Sequence, residues 1–288
     1  MGKILLQDYS PFQTAWLRYG AAWLGVLLIA IVHMARKKQS GPVIRKVLSR
    51  PHILWIFLMG IITFFASPYF QYTGLARSTA TENAIIVALE PLFAVVLARV
   101  FLGERMAWRQ LLAFQFAVVG FCFLSNLRPD KVSESLSLFN MGNILMMLAL
   151  PAEAMYSIIS RRLAEEFSPI TIFGFALSLG YFFFSMYLFA IRQESFPNLS
   201  LLNSKSMLAL LWMGPLGTTI TYAYWTYALQ SAPVAFVSLT LFVQPIQGAL
   251  VGYFYLGERL NIWQAAGALL ILTALTIQSF PYFRKAKT

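Results

Sequence analysis

Long apolar stretches alternate with short polar segments along the whole chain. A helix needs about 20 predominantly apolar residues to cross the hydrocarbon core of a bilayer, whereas a barrel strand needs about 10. The apolar stretches have the length of helices and lack the period-two alternation of barrel strands. The pattern therefore predicts an all-α, multi-pass membrane helix bundle with nine spans: residues 11–34, 52–76, 80–101, 106–126, 138–160, 169–191, 206–230, 233–256 and 261–281.

Two of these stretches have nearly the same sequence and divide the chain into halves. Residues 90–105 read EPLFAVVLARVFLGER, and residues 244–259 read QPIQGALVGYFYLGER. An offset of 154 residues aligns Pro91 with Pro245 and Glu104 with Glu258. Self-similarity at a fixed offset indicates a duplicated structural unit. We therefore predict two repeats, at residues 1–127 and 138–281, and call residues 154 positions apart repeat mates.

Composition and charge support the membrane interpretation. The chain is 59% hydrophobic and 11% charged, whereas a soluble domain carries about 25% charged residues. The net charge of +11 lies mainly in short loops beside the spans, which is typical of membrane topology rather than of nucleic-acid binding. One Cys and two His argue against a disulfide framework or a metal site, and we predict no cofactor.

The loops predict an orientation. Residues 35–51 hold six Lys and Arg residues and no acid, so we expect this loop in the cytoplasm. Alternation of the spans then places the C-terminal tail on the same side and inverts the second repeat relative to the first. The expected location is a bacterial plasma membrane, and the oligomeric state stays open.

The motifs resemble those of the EamA-type drug/metabolite transporter superfamily. The resemblance rests on two apolar repeats, each with a Glu-Pro or Gln-Pro helix, an LGER turn and one further helix. Ser10-Pro11 and Ser168-Pro169, which open equivalent helices, support it. It implies ten helices arranged as two inverted repeats of five, and transport of metabolites, amino acids, amphipathic drugs or nucleotide sugars, often outward.

The first repeat departs from that pattern. A full span at residues 138–160 precedes Ser168-Pro169, but only nine residues precede Ser10-Pro11. We therefore expect nine spans of ten, with the opening helix of the first repeat missing, and we expect the true start of the protein to lie upstream of Met1. The missing helix should line the central cavity opposite the helix that carries Glu153.

Glu90 is a candidate site residue because a carboxylate inside a span normally faces the bundle interior or a water-filled cavity. It shares one helix face with two small residues at spacings of four, a pattern that predicts close helix contact. Its repeat mate is Gln244. Glu90 and Gln244 either line a midplane cavity or brace the bundle by hydrogen bonds. The predicted helix-packing residues are Ala94, Ala98, Gly248 and Gly252.

Glu153 is a second carboxylate inside a span, eight residues before Arg161. At 1.5 Å per residue this is about 12 Å from the basic end of the helix, further than a short side chain can reach. Glu153 is therefore either a partner for a cationic substrate or a proton carrier, or else a protonated structural residue bonded to a neighbouring helix.

Aromatic and amide side chains form a third group on two equivalent helices. Aromatic walls with a few polar groups suit amphipathic or cationic ligands, although an interfacial aromatic belt has a similar composition. The candidates for substrate contact in this group are Gln71, Tyr72, Tyr222 and Trp225.

These observations predict a secondary transporter rather than an enzyme. The sequence has no Ser/His/Asp set, phosphate-binding loop or metal-ligand spacing. We expect export of a small metabolite, amino acid or amphipathic compound by alternating access, driven by a proton gradient or by the gradient of the substrate. The alternative is a membrane scaffold or sensor that keeps the fold without transporting.

Overall fold

The structure is a computed structural model, and each regular element in the part of the chain that it describes is helical. The described residues are 5, 8–36, 46, 47, 49–77, 86, 87, 89–105, 107–124, 141–244, 246, 247, 250 and 262–285. The α-helices are α1 (Pro11–Arg36), α2 (Arg50–Ile61), α3 (Ser67–Leu75), α4 (Glu90–Phe101), α5 (Trp108–Leu124), α6 (Met141–Leu163), α7 (Pro169–Met186), α8 (Ser204–Leu211), α9 (Thr221–Ser231), α10 (Val234–Leu239) and α11 (Ile262–Lys285).

Three π-helical segments extend or join these helices. Ile62–Ala66 connects α2 to α3, Trp212–Ile220 connects α8 to α9, and Tyr187–Ile191 extends α7. Two short 3₁₀ helices lie at Leu199–Leu201 and Thr240–Phe242. Adding the offset of 154 to Ile62–Ala66 gives residues 216–220, which lie within Trp212–Ile220. Both repeats therefore change from α-helix to π-helix at equivalent positions. Such π segments inside α-helices are frequent at functional sites.

Four of the described helical stretches are long and apolar enough to cross a membrane. They are Pro11–Ile31, His52–Leu75, Met141–Leu163 and Pro169–Ile191. Shorter apolar helices cover Trp108–Phe123 and Ile262–Ile277. The predicted spans at 80–101 and 233–256 are described only in part, because residues 80–85 and 251–256 lie outside the described residues.

Polar residues just before the apolar runs fix where helices begin. Ser10 and Gln13 form a reciprocal capping box before α1, in which each side chain accepts from the backbone N–H of the other at 3.1 Å. Ser168 caps α7 by accepting from Thr171 N. The equivalent Ser-Pro pairs thus both mark helix starts.

Helices of one sequence repeat pack directly against helices of the other. α1 lies against the π segment Trp212–Ile220, and α7 lies against α2 and the π segment Ile62–Ala66. A Cβ added to Gly60 would lie 2.9 Å from Ala176 O, and one added to its repeat mate Gly214 would lie 3.0 Å from Ala22 N. Ala22 and Ala176 are themselves repeat mates, so the same close helix contact forms twice, each time between the repeats.

The LGER turn of the first repeat also reaches the second. Gly103 ends α4 with a left-handed φ of 66°, a conformation that glycine adopts without steric cost. Glu104 then accepts from Val234 N at 3.2 Å and from Ala235 N at 3.5 Å, which satisfies free N–H groups at the start of α10.

One end of the bundle carries a cluster of ionic groups. Glu166 follows α6 and meets Lys46 Nζ at 2.9 Å and His52 Nε2 at 3.2 Å. The hydrogen bond from Lys46, reinforced by His52, holds the pKa of Glu166 below its usual range.

One helix face in the second repeat is uncovered, although the equivalent face in the first repeat is covered. α6 packs on α3 and the π segment before it, so that Thr63 and Ser67 are 0% and 1% exposed. Their repeat mates, Gly217 and Thr221, are exposed, and on the same stripe Tyr224 is 71% exposed. Among the described helices, none occupies the position on α9 that corresponds to the position of α6 on α3.

Candidate functional site

A cavity of about 290 Å³ lies at the centre of the bundle, between α1, α6, α9 and the start of α4. Both sequence repeats contribute to its wall. Six of the seven side chains that we predicted to contact substrate line this cavity: Gln71, Glu90, Glu153, Tyr222, Trp225 and Gln244.

Glu153 is held by two hydroxyl groups. Ser67 Oγ donates to its Oε2 at 2.9 Å, and Tyr222 OH donates to its Oε1. Ser67 belongs to the first repeat and Tyr222 to the second, so the carboxyl group links the two repeats at the cavity.

Two aromatic side chains of α9, Tyr222 and Trp225, are packed at the edge of the cavity. The Tyr222 ring stacks on Phe173 at 5.4 Å and meets the Tyr156 ring edge-on at 4.7 Å. Trp225 Nε1 donates to Ser157 Oγ at 2.8 Å, which fixes the indole against α6. These contacts hold both rings at the edge of the cavity, with their positions set before any ligand enters.

Glu90 begins α4 and faces the same cavity as Glu153, close enough for the two carboxyl groups to interact electrostatically. Ala94 and Ala98 lie on the following turns and are buried among residues of α6, α9 and α10. Gly248 and Gly252, the predicted helix-packing residues of the second repeat, lie outside the described residues.

Tyr72 is the predicted site residue that does not line the cavity. It is buried in an apolar cluster with Phe12 and Phe184, and its hydroxyl group interacts with Arg18 behind the wall. Adjacent residues of an α-helix point about 100° apart, and Tyr72 points toward Phe12 of α1 and Phe184 of α7 while Gln71 faces the cavity.

Arg18 is the site residue that our sequence reasoning missed. It projects from α1 into the cavity, its Nε donates to Thr218 Oγ1 at 3.1 Å, and its guanidinium lies 5.6 Å from the centre of the Tyr19 ring. The sequence signal was a single cation seven residues after Pro11, inside an otherwise apolar span. A cation at such a depth faces the bundle interior or a cavity, by the same argument that selected Glu90.

Comparison with known proteins decides the family. Residues 1–126 and 140–280 match the EamA-like transporter family. The chain belongs to this family. As an EamA-like transporter it is an integral, multi-pass membrane protein, and its family consists of transporters rather than enzymes.

Individual relatives of this EamA-like transporter are distant but span most of its length. The "Uncharacterized transporter YyaM" of Bacillus subtilis is 22% identical over 281 residues, which cover 97% of this chain and 88% of the relative. The "Probable terminal-alkyne amino-acid exporter" of Streptantibioticus cattleyicolor is 22% identical over 241 residues, which cover 83% and 77%. A crystal structure with 16% identity shares the fold, with a TM-score of 0.71 over 94% of this chain and 89% of that chain.

The chemistry available to this EamA-like transporter is recognition by charge, hydrogen bonding and aromatic contact. Within the described part of the chain, no three His, Cys, Asp or Glu side chains lie close enough together to hold a metal ion. The cavity instead offers one guanidinium, two carboxyl groups and an aromatic wall. Such a site can bind and orient a small polar molecule.

Proposed function

We propose that this EamA-family transporter is a secondary exporter of a small metabolite, an amino acid or an amphipathic compound. One observation carries the proposal: the two sequence repeats share the wall of a central cavity that contains ionisable side chains. Charged groups inside a membrane protein commonly mark a substrate or ion pathway. The name of the relative from Streptantibioticus cattleyicolor supports including amino acids among the candidates.

The proposed mechanism is alternating access. Residues 1–127 and 138–281 would act as two inverted repeats that rock about the cavity, as in other transporters built from such repeats. The proposed substrate contacts are Gln71, Glu90, Glu153, Tyr222, Trp225 and Gln244, with Tyr72 supporting Arg18 from behind. The glycine contacts between the repeats suit rigid-body motion, because small residues let helix backbones approach closely.

The proposed orientation follows from the basic loops. We place residues 35–51 and the C-terminal tail in the cytoplasm of a bacterial cell, since clusters of Lys and Arg resist translocation. Reporter fusions at Lys38 and Lys287 test this orientation. An external signal from either fusion contradicts the inverted arrangement.

Transport itself is tested with the purified protein in lipid vesicles and a panel of labelled solutes. We expect solute flux that depends on the protein and not on ATP. The variants Glu90→Gln and Glu153→Gln keep the shape of the side chain and remove its charge, so pH-dependent flux should fall in at least one of them. Unchanged flux in both variants would assign the carboxyl groups a structural role.

A folded protein that moves no solute in any panel favours the scaffold or sensor instead. Size-exclusion chromatography in detergent separates that outcome from misfolding. Vesicles loaded on either side then establish whether flux runs preferentially outward.

A further inference from the structure

The ionic groups at one end of the bundle join the two sequence repeats. Lys46 and His52 belong to the first repeat, and Glu166 lies in the second, between α6 and α7. Glu166 Oε2 accepts from Lys46 Nζ at 2.9 Å, and Glu166 Oε1 lies 3.2 Å from His52 Nε2. The His52 ring also meets the buried Phe167 ring edge-on at 5.0 Å. We call Lys46, Ser49, His52 and Glu166 the inter-repeat cluster.

The hydrogen bonds around His52 are all satisfied when each ring nitrogen carries a proton. Ser49 Oγ donates to Lys46 O at 2.7 Å, which uses the single proton of that hydroxyl group. His52 Nδ1 lies 2.7 Å from Ser49 Oγ and 3.2 Å from Lys46 O, so it faces oxygen atoms that are left to accept. On the other side of the ring, Nε2 faces the Glu166 carboxylate, which also accepts. The contacts therefore favour the imidazolium form, in which both nitrogens donate.

Loss of the ring proton weakens this contact between the repeats. A neutral ring has one donor, so it keeps its bond to Glu166 only if the Ser49 hydroxyl turns from Lys46 O to Nδ1. The attraction between imidazolium and carboxylate is lost in either arrangement. Glu166 keeps its charge, because Lys46 and then His52 hold its pKa below the usual range. Histidine is the residue type that ordinarily changes charge between pH 5 and 8.

Other charged groups near the ring stand apart from this contact. Arg162 of α6 stacks on Trp55, one turn further along α2, with its guanidinium carbon 4.5 Å from the ring centre. Glu165 is exposed, and the first turn of α7 contains no acidic residue. A change of charge on His52 therefore acts through its attraction to Glu166, against the like charge of Lys46.

α2 connects the inter-repeat cluster to the central cavity. It continues through the π segment Ile62–Ala66 to Ser67, whose hydroxyl group donates to Glu153 in the cavity. At 1.5 Å per residue, the distance along the helix from His52 to Ser67 is about 22 Å. A contact that fixes the start of α2 against the second repeat thus acts on a helix that reaches the cavity, without touching the cavity itself.

We propose that protonated His52 holds the two repeats together at this end of the bundle and that loss of its proton loosens them. Acidic conditions on this side then keep α2 tied to the connection between α6 and α7. In the proposed alternating access, an end of the cavity opens only when the contacts between the repeats separate there. The effect on transport rests on the proposed function, whereas the pH-dependent contact does not.

The test is amide hydrogen exchange of the full-length protein in detergent, measured by mass spectrometry at about pH 6 and about pH 8.5. Peptides that cover the start of α2 and residues 163–168 report on opening at this end. Comparing His52→Gln with the wild type at the same pH cancels the intrinsic pH dependence of exchange. At the lower pH we expect exchange to be about 2- to 5-fold faster in His52→Gln, the factor that an exposed ion pair contributes. At the higher pH we expect the two proteins to exchange equally fast.

Further variants assign the effect to the contact with Glu166. In a Glu166→Gln background, His52→Gln should change exchange at neither pH. Lys46→Gln should speed exchange by a similar factor at both pH values, because lysine side chains do not ordinarily titrate between them. His33→Gln is the matched control: it removes the other histidine of the chain, which is not part of the inter-repeat cluster, and should match the wild type. If His52→Gln does not fold, His52→Lys replaces it and should remove the pH dependence by keeping a charge at both values.

The outcomes separate this inference from the proposed function. Equal effects of His52→Gln at the two pH values overturn the inference, as does the absence of an effect at the lower pH. Failure of every solute to move in vesicles overturns transport and leaves the pH-dependent contact, because exchange needs no solute. If a solute does move, acidification on this side should slow flux in the wild type and not in His52→Gln. Equal slowing of both proteins would overturn the regulatory role of the contact.

Discussion

The contact between α7 and the π segment Ile62–Ala66 gives a sharp prediction for Gly180→Ala. A Cβ added to Gly180 would lie 2.3 Å from Phe64 Cβ and 2.6 Å from Gly60 O. Carbon atoms in contact are about 3.5–4.0 Å apart, so the two helices must separate by about 1 Å or more. Neither neighbour can rotate away, because one atom is backbone and the other is attached directly to it.

The expected cost follows from two opposing terms. Overpacking a close contact costs about 1–3 kcal/mol, and this overlap belongs at the upper end of that range. Replacing Gly by Ala inside a helix gains about 1 kcal/mol of intrinsic helix propensity. We therefore expect Gly180→Ala to lower the free energy of unfolding by about 2 kcal/mol.

The same displacement should reach the cavity. The Phe64 ring lies 5.4 Å from the Tyr222 ring and 5.9 Å from the Tyr156 ring. Moving the π segment shifts Phe64, and Phe64 supports the wall that holds Tyr222 against Glu153. We expect KM for transport to rise in the fraction of Gly180→Ala protein that stays folded.

Gly20→Ala is the matched control for this prediction. Its added Cβ would lie 2.8 Å from Tyr181 Oη, which is the far end of a side chain and not backbone, so a smaller shift relieves the overlap. We expect denaturant titration in detergent, followed by tryptophan fluorescence, to give Gly20→Ala a free energy of unfolding close to that of the wild type. Gly180→Ala should have a clearly lower free energy of unfolding. Equal stability of all three proteins would refute the reasoning about close packing.

Three further predictions test other contacts. Glu104→Ala removes the acceptor for the first N–H groups of α10 and should cost about 0.5–2 kcal/mol in the same titration, whereas Glu104→Gln should retain part of that stability. Because folding lowers the pKa of Glu166, the ionised carboxylate contributes its full stability above 4.5, the pKa in the unfolded chain. This contribution is lost as the pH falls through the lower pKa of the folded protein. Glu166→Gln should abolish this part of the pH dependence in thermal melts recorded over a pH series. Ser67→Leu should cost about 1–3 kcal/mol, because α6 covers Ser67. Thr221→Leu should change stability by less than about 0.5 kcal/mol, and an equal loss in both would mean that a further helix covers Thr221 in the working protein.

The helices were the part of the molecule that the sequence predicted best, because length and apolar content determine spans in a membrane. The expected span 169–191 agrees with Pro169–Ile191. The expected span 206–230 lies within the helical stretch from Ser204 to Ser231, which is not among the four described stretches that are long and apolar enough to cross a membrane. We did not predict the π segments. Pro215 lies inside the segment Trp212–Ile220, and Pro68 follows the segment Ile62–Ala66. A proline removes an i→i−4 hydrogen bond of its helix, so the sequence held a local signal that length and apolar content did not use.

The charged and aromatic side chains of the cavity were partly predictable. Glu90 and Glu153 stood out because carboxylates are rare inside spans, and Trp225 because it belongs to a group of aromatic and amide side chains on two equivalent helices. Arg18 was overlooked because it lies within two turns of a helix start, where a long cation can also reach the membrane surface. The hydrogen bond from Arg18 to Thr218, which is distant in sequence, shows that this side chain faces the interior and does not reach toward the membrane surface.

The bond from Glu104 to the start of α10 has a consequence for biosynthesis. The ribosome completes the first repeat well before residue 234 exists, so the Glu104 carboxylate of the newly inserted half lacks the backbone N–H groups that will later donate to it. The glycine contacts between α1 and the π segment Trp212–Ile220 are equally absent at that stage. We expect a first half made alone to be recognised and degraded by membrane proteases. Two halves expressed together from separate genes should protect each other, because each supplies surfaces that the other lacks.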